Sequence, residues 1–171
     1  VTSLANMLLR IKQKRFGSID RESNYLMNSV SDRSGEIVFA RDSDKVKREL
    51  NQKTRRSTKF AVLVMRDEDK EEARQFFETP LLFSIQEAKG LEYENVILMN
   101  FISNEHDSFE EIISGIDDGD MEGDLEYRRA GDKKDKSLEI YKFYINYLYV
   151  AVTRAVQKLY LIESNTTHPF I

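Results

Sequence analysis

The sequence predicts an α/β fold, a mostly parallel β-sheet with helices on both of its faces. Two short, continuous apolar runs, 59–65 (KFAVLVM) and 96–99 (VILM), are typical of strands that are buried on both faces. Predicted strands and helices also alternate along the chain, which favours parallel pairing. Finally, a polar loop containing Gly90 separates the apolar runs 81–83 and 96–99. Polar loops at strand ends are where α/β folds place ligand chemistry.

Hydrophobic periodicity, helix-capping residues and helix-terminating residues predict the individual helices and strands. The first helix spans about 3–14 and ends before Gly17, and 18–34 has no clear period and is predicted to be a loop. Asp42 or Ser43 caps a helix over 44–52. Asp67 caps the next helix, which runs to Phe77, because acidic residues crowd its first turns. The remaining predictions are strands at 36–40, 59–65, 81–84, 96–101 and 158–163, a long helix at 137–156 and a tail at 164–171.

The helix at 137–156 is apolar around most of its circumference, so we expect it to lie buried between other elements. Its aromatic residues include Phe143, Tyr144 and Tyr147. Aromatic side chains can serve as stacking platforms for nucleic-acid bases. They are more often core residues, and the core is the favoured interpretation here.

Segment 103–136 differs in composition from the rest of the chain. Acidic residues and two glycines crowd the part from 117 to 126, and a basic cluster follows at 128–134. Apart from a helical stretch within 109–113, we expect a flexible, solvated insertion. The acidic spacing does not match the calcium-loop pattern, so a solvated acidic loop is favoured over a calcium site.

Length and composition restrict the possible classes of protein. The 171 residues predict one domain, 1–171, and the net charge of −4 disfavours coating of nucleic acid by bulk charge. The chain has no cysteine and only two distant histidines, His106 and His168, so no metal site is predicted. No apolar run approaches the roughly 20 residues of a membrane span, so we expect no membrane partner and a cytoplasmic, soluble setting. The chain opens within a helix and without a start methionine, which favours a piece of a longer protein.

Two segments of the sequence indicate a function as well as a fold. They are 85–98, IQEAKGLEYENVIL, and 148–162, LYVAVTRAVQKLYLI. Together, and in this order, they resemble the fifth and sixth signature motifs of the UvrD/Rep-like superfamily 1 helicases. Residues 4–6 are similar to the end of that family's fourth motif. The resemblance covers nearly the whole chain and implies the second RecA-like domain, a P-loop NTPase-like domain that lacks the P-loop.

The resemblance also implies roles for individual residues. Arg154 is similar to the arginine finger that contacts the γ-phosphate of ATP, where a guanidinium can meet two oxygens at once. A surface or ion-paired arginine is the plainer alternative. Glu92 resembles the residue that meets the nucleotide ribose, and Lys89, Gly90 and Thr153 complete the expected ATP contacts. Mg²⁺ would be held by a first RecA-like domain, because this sequence has no Walker A motif.

The same resemblance implies contact with single-stranded DNA, and RNA is not excluded. Ser84 and Gln86 are the residues expected to touch the strand. A basic stretch at 45–56 could also contact phosphates, although a solvated helix face is favoured. Gln86 stands where many family members have histidine, and 144–147 replaces a run that is often acidic and then basic.

The leading interpretation is therefore the C-terminal motor domain of an ATP-dependent DNA helicase or translocase. It would be inactive without the N-terminal RecA-like domain of the same protein. The alternative is a degenerate RecA-like domain that serves as a protein-interaction or regulatory module, with the acidic insertion as its docking surface. An intact Walker A motif in the rest of the protein would favour the motor.

Overall fold

The computed structural model describes residues 1–17, 25–29, 34–125 and 137–167. Within them, five strands form a sheet with the order β1-β5-β4-β2-β3. Every neighbouring pair is parallel. The strands are β1 (Glu36–Arg41), β2 (Phe60–Val64), β3 (Leu82–Ser84), β4 (Tyr93–Met99) and β5 (Ala155–Glu163).

In the described part of the chain, five α-helices cover the two faces of this sheet. They are α1 (Thr2–Phe16), α2 (Asp44–Thr54), α3 (Asp69–Arg74), α4 (His106–Ile113) and α5 (Ser137–Val152). Buried residues of α1, α4 and α5 pack together on one face, and those of α2 and α3 pack on the other. The predicted α/β fold, a parallel sheet with helices on both faces, is confirmed and is consistent with a RecA-like domain.

The strand sequences explain why both faces are covered. In β4, Val96 and Leu98 point into the core beneath α1, α4 and α5, whereas Ile97 and Met99 point into the core beneath α2 and α3. Successive side chains in a strand point to opposite faces, so a strand with two packed faces must be apolar throughout. β2 and β5 alternate in the same way.

Several predicted element ends agree with the structure and others need correction. Ser43 caps α2 by accepting a hydrogen bond from the Val46 amide, as predicted. Asp67, in contrast, does not cap α3: its carboxylate pairs with Lys70 at 2.9 Å, and the helix begins at Asp69. That helix is also shorter than predicted, because its last turn tightens into i−3 hydrogen bonds and ends at Arg74. Likewise α5 ends at Val152 rather than 156, since β5 already begins at Ala155.

The helical stretch predicted within 109–113 is present as part of α4, but the expectation of a solvated segment around it is wrong for 103–121. Helix α4 lies there, and its Phe109 and Ile112 are fully buried against α1 and α5. A 3-10 helix, Asp118–Met121, follows and contacts α1. The acidic side chains meet the basic end of α1: Lys14 pairs with Asp120 at 2.6 Å, and Arg15 pairs with Glu111. The predicted basic cluster at 128–134 and much of the predicted loop at 18–34 lie outside the described residues.

Among the described residues, no helix has both the length and the apolar character needed to cross a membrane. The same residues contain no group of three or more acidic or histidine side chains arranged to hold a metal ion.

Candidate functional site

The predicted site residues lie at two opposite edges of the sheet. Lys89, Gly90 and Glu92 precede β4, and Thr153 and Arg154 precede β5. Because the strands are parallel, these segments share the edge formed by the amino ends of the strands, which we call the amino edge. Tyr93 pairs with Ala155 there, and the Tyr93 amide donates to the Arg154 carbonyl at 2.9 Å.

Ser84 and Gln86 lie at the other side, where β3 ends. We call this the carboxyl edge. Leu82 and Ile97 both pair with Val62, which places Ser84 level with the end of β4. At about 3.3 Å per residue, the length of β4 separates the two edges by roughly 20 Å. The structure therefore brings the predicted nucleotide residues together and sets the predicted nucleic-acid residues apart from them.

The Arg154 guanidinium is held by the backbone on two sides. Its Nε donates to the Val150 carbonyl at 3.1 Å, in the last turn of α5. Its Nη1 donates to the Leu91 carbonyl at 3.0 Å, in the loop before β4. Its Nη2 donates to Thr153 Oγ1 at 3.2 Å. These bonds join the two segments that carry the predicted nucleotide residues and fix the direction of the side chain.

No carboxylate neutralises this guanidinium among the residues that the structure describes: none of the ion pairs found there includes Arg154. The positive charge of Arg154 affects the pKa of a neighbouring phenol, that of Tyr149. Burial raises the pKa of Tyr149, and the positive charge of Arg154 partly opposes that rise. A partly exposed, oriented cation without an acidic partner among the described residues can bind an anion from outside the domain.

The other predicted nucleotide-binding residues at the amino edge differ in whether their polar groups are already used within the domain. The Thr153 hydroxyl donates to the Val150 carbonyl at 2.8 Å while it accepts from Arg154, so it orients the guanidinium. Lys89 and Glu92 are exposed and form no ion pair with any other residue in the described ranges. Gly90 has a φ of 83°, and a Cβ at this position would meet no atom within 4 Å. Glycine is needed there for its backbone conformation rather than for space.

At the carboxyl edge, a cavity of about 370 Å³ opens between the ends of β2 and β3 and the side of α5. We call it the strand-end pocket. Eight residues line it: Met65, Arg66, Asp67, Glu68, Ser84, Gln86, Phe143 and Tyr147. Both residues predicted to touch nucleic acid, Ser84 and Gln86, are among them.

The topology explains the position of this pocket. After β2 the chain turns toward the face that holds α3, whereas after β3 it turns toward the other face, where Ile85 and Ala88 join the core. Neighbouring parallel strands whose continuations leave in opposite directions open a crevice at their carboxyl ends. Such crevices are the usual ligand sites of open α/β sheets.

The sequence did not identify the contribution of α5 to this pocket. Tyr144, Ile145 and Leu148 are buried as predicted, but Phe143 is 45% exposed, so the expectation of burial all round is wrong. The Phe143 and Tyr147 rings lie 3.9 Å apart between centroids, one helical turn from each other. Their spacing of four residues was the available signal, because such residues share one face of a helix.

Gln86 and Tyr147, from two segments that the sequence singled out, contact each other. Gln86 Nε2 donates to the Tyr147 hydroxyl at 3.2 Å. Arg66, which the sequence did not single out, donates to the Tyr144 hydroxyl at 3.1 Å. These two tyrosine hydroxyls therefore link α5 to the ends of β2 and β3.

Comparisons with known proteins assign no family and no function to this chain. No protein-family model matches the sequence, and no curated protein matches it. One similar solved structure is the C-terminal domain of a possible DNA helicase from Lactobacillus plantarum WCFS1. It is 15% identical, the match covers 99% of this chain and 89% of that one, and the TM-score is 0.48. At this degree of likeness, no residue role is transferred from it.

Proposed function

We propose that this chain is the second RecA-like domain of an ATP-dependent DNA helicase or translocase. ATP would bind between its amino edge and a first RecA-like domain of the same protein. The observation that carries the proposal is Arg154: its guanidinium is oriented by the Leu91 and Val150 carbonyls and is free of any acidic partner among the described residues. The two motifs that resemble helicase sequences meet at this side chain.

The geometry suits the stabilisation of a transferring phosphoryl group. A guanidinium has five N–H donors, and Arg154 uses three of them internally. One donor on each terminal nitrogen remains, and such a pair can meet two phosphate oxygens. Positive charge is needed there because the phosphoryl oxygens gain charge in the transition state, and an arginine finger accelerates such reactions about 10³- to 10⁵-fold.

The neighbouring residues would bind the rest of the nucleotide. The exposed carboxylate of Glu92 can accept hydrogen bonds from ribose hydroxyls, and the exposed ammonium of Lys89 can approach the phosphates. The left-handed backbone at Gly90 turns the loop so that the Leu91 carbonyl reaches Arg154. Mg²⁺ would accompany ATP and would be held by residues of the first domain, where it would neutralise charge on the phosphates.

The nucleic acid would lie at the carboxyl edge, roughly 20 Å from the nucleotide. Segment 85–92 runs from one edge to the other: it begins next to Ser84 and ends at the loop that holds Arg154. A nucleotide-dependent shift of this loop would therefore reach the strand-end pocket through a short, continuous piece of chain. Alternate opening and closing of the two domains would then move the strand.

Steady-state ATPase activity tests the proposal. The protein that joins this chain to its first RecA-like domain is assayed with and without single-stranded DNA, as wild type, Arg154→Ala and Arg154→Lys. We expect DNA-stimulated turnover in the wild type and a loss of about 10³-fold or more in Arg154→Ala. Arg154→Lys should retain little of the wild-type turnover, because a lysine ammonium is a point charge and lacks the planar, forked donors of a guanidinium. Arg74→Ala, an exposed arginine on α3, is the matched control and should keep full activity.

Absence of turnover with both DNA and RNA in the wild type would refute the motor proposal. A regulatory or protein-interaction module would then be the better interpretation. The acidic docking surface expected for such a module is partly used within the domain, since Asp120 pairs with Lys14 and Glu111 pairs with Arg15.

A further inference from the structure

An acidic segment covers the basic end of α1. We call this segment, residues 114–125, the acidic strap, because five of its residues are acidic. Asp120 of the strap pairs with Lys14 at 2.6 Å, and the Gly123 carbonyl accepts a hydrogen bond from Arg10 Nε at 2.7 Å. Arg10 and Lys14 are four residues apart, so they lie on one face of the helix. The acidic strap thus contacts two neighbouring cations at once.

The contact between the acidic strap and α1 is mostly polar and incompletely packed. The 3-10 helix of the strap, Asp118–Met121, contains no buried residue. Ile116 and Met121 pack against the core but are only partly buried. A cavity of about 280 Å³ remains between the strap and α1. Segments with few buried apolar contacts open locally at a low cost in free energy.

Two glycines near the ends of the acidic strap allow it to move. Gly115 has a φ of 76° and Gly123 has a φ of 80°. A Cβ at either position would meet no atom within 4 Å, so neither glycine is confined by its surroundings. Glycine adopts left-handed and right-handed backbone conformations about equally well. Rotation at these two positions can therefore lift the strap from α1 without disturbing the helices.

Positive charge is concentrated around this end of α1. Arg15 pairs with Glu111 at the end of α4, and its Nε is buried without a hydrogen-bond partner in the described part of the chain. Burial and the positive charge of the nearby Lys142 lower the pKa of Lys12. The acidic strap therefore covers a surface where several cations lie close together, and such a surface attracts polyanions.

The basic end of α1 also lies toward the carboxyl edge. The Lys142 ammonium is 6.0 Å from the centre of the ring of Phe16, the last residue of α1. Phe143, the next residue of α5, lines the strand-end pocket. The proposed function places nucleic acid at this edge of the sheet. A nucleic acid presents a regular row of phosphates, and arginine and lysine are the side chains that bind them.

We infer that Arg10 and Lys14 form a phosphate-binding surface for nucleic acid, and that the acidic strap competes with the phosphates for it. The inference rests on the proposed function and adds a surface outside the two helicase-like motifs. A phosphate would replace the Asp120 carboxylate at Lys14, and the strap would swing away about its two glycines. The surface is covered in the present structure, so nucleic acid gains access to it only when the strap is released.

Nucleic-acid binding by strap variants tests this inference. Fluorescence anisotropy is measured without nucleotide for the protein that contains this chain, with labelled dT20 and over a series of NaCl concentrations. The variants are Asp120→Asn and Asp120→Asn combined with Lys14→Gln. Asp118→Asn is the matched control, because Asp118 is an exposed acid of the same strap and its substitution changes the net charge equally. Circular dichroism melting checks that each variant is folded.

We expect Asp120→Asn to bind dT20 about 3- to 10-fold more tightly than the wild type, because a strap that is released only part of the time lowers the apparent affinity by that fraction. Asp118→Asn should gain much less. Adding Lys14→Gln to Asp120→Asn should abolish the gain and make the slope of log Kd against log salt shallower by about 0.7, the value for one lost phosphate contact. Equal gains for the two asparagine variants, or a gain that survives Lys14→Gln, would overturn the inference.

Hydrogen exchange of the wild type reports on the acidic strap without any substitution. Within the strap, the Asp120 amide donates to the Asp117 carbonyl at 2.9 Å, and the Ile116 amide donates to the Ile113 carbonyl at 3.0 Å. Saturating dT20 should speed exchange of these amides, because the strap then leaves α1. Unchanged exchange at saturation would overturn the inference, as would failure of both the wild type and Asp120→Asn to bind dT20.

ATPase measurements on the same proteins separate this inference from the motor proposal. If the inference about the strap alone fails, Arg154-dependent turnover remains, and Asp120→Asn needs as much DNA as the wild type for half-maximal stimulation. If the motor proposal fails, Arg154→Ala has no effect on turnover, whatever the anisotropy and exchange measurements show.

Discussion

A buried ion pair at the carboxyl edge allows a direct prediction of how one substitution changes the stability of the domain. Lys47, in the first turn of α2, pairs with Asp42 at 2.7 Å, and their side chains are only 6% and 10% exposed. The second carboxylate oxygen of Asp42 accepts a hydrogen bond from Asn100 Nδ2 at 2.6 Å. The lysine ammonium also lies 3.9 Å from the centre of the Phe76 ring. The basic stretch at 45–56 is thus not solvated at this position.

Lys47→Met keeps most of the apolar stem and removes the charge. It leaves the Asp42 carboxylate buried with one amide donor, and breaking a buried pair in this way costs about 3–5 kcal/mol. For a domain of this size each kcal/mol corresponds to roughly 2–4 °C, so the melting temperature should fall by about 6–20 °C. Urea unfolding at pH 7, followed by circular dichroism, measures the free-energy change directly.

Two further variants complete the test. Asp42→Asn together with Lys47→Met should be less destabilised than Lys47→Met alone, because no charge is then left buried and the contact with Asn100 can persist. Lys45→Met, on the exposed side of the same helix, should change the stability by no more than about 0.5 kcal/mol. A cost below about 1 kcal/mol for Lys47→Met, or a double variant that is destabilised as much as Lys47→Met alone, would refute the reasoning.

Two other predictions concern a backbone position and a buried acid. Gly90→Ala should lower the free energy of unfolding by roughly 1–2 kcal/mol, because the penalty at φ 83° is conformational and not steric. Gly90→Asn should lower the free energy of unfolding by less than Gly90→Ala does, as measured by urea unfolding. A larger loss for asparagine than for alanine would contradict this prediction. Burial raises the pKa of Glu163, so its stabilising contribution is complete below about pH 4.5 and is lost as pH rises through the raised pKa. The free energy of unfolding of the wild type, minus that of Glu163→Gln, should therefore fall between pH 4 and pH 8. A rise in this difference over the same range would contradict the prediction.

The sheet was predictable because its strands are unambiguous in the sequence. Apolar runs such as 96–99 have no polar face, and only a strand covered on both sides fits them. The Ser43 cap was equally local, since the side chain bonds an amide three residues later. Cap positions and buried runs depend on neighbouring residues in the chain, and sequence patterns report such local features well.

The strand-end pocket was not predictable, because it depends on which faces of α5 meet other elements. Phe143 and Tyr144 are adjacent and both aromatic, yet Tyr144 is buried against Phe109 whereas Phe143 faces solvent. That difference is decided by the position of α4, whose helical character was predicted only within 109–113 and whose packing against α5 was not predicted. The contact between Gln86 and Tyr147 joins residues 61 positions apart, and no local pattern encodes it.

The strand order also has a consequence for how the chain folds. β5 is the last strand in the sequence, but it occupies an interior position between β1 and β4. Until residues 155–163 have been synthesised, β1 lacks its partner and β4 has one side unpaired. Pairing across more than 100 residues is slow, and unpaired edges promote aggregation. Pairing of β5 completes the sheet and also places Arg154, directly before β5, against the loop before β4.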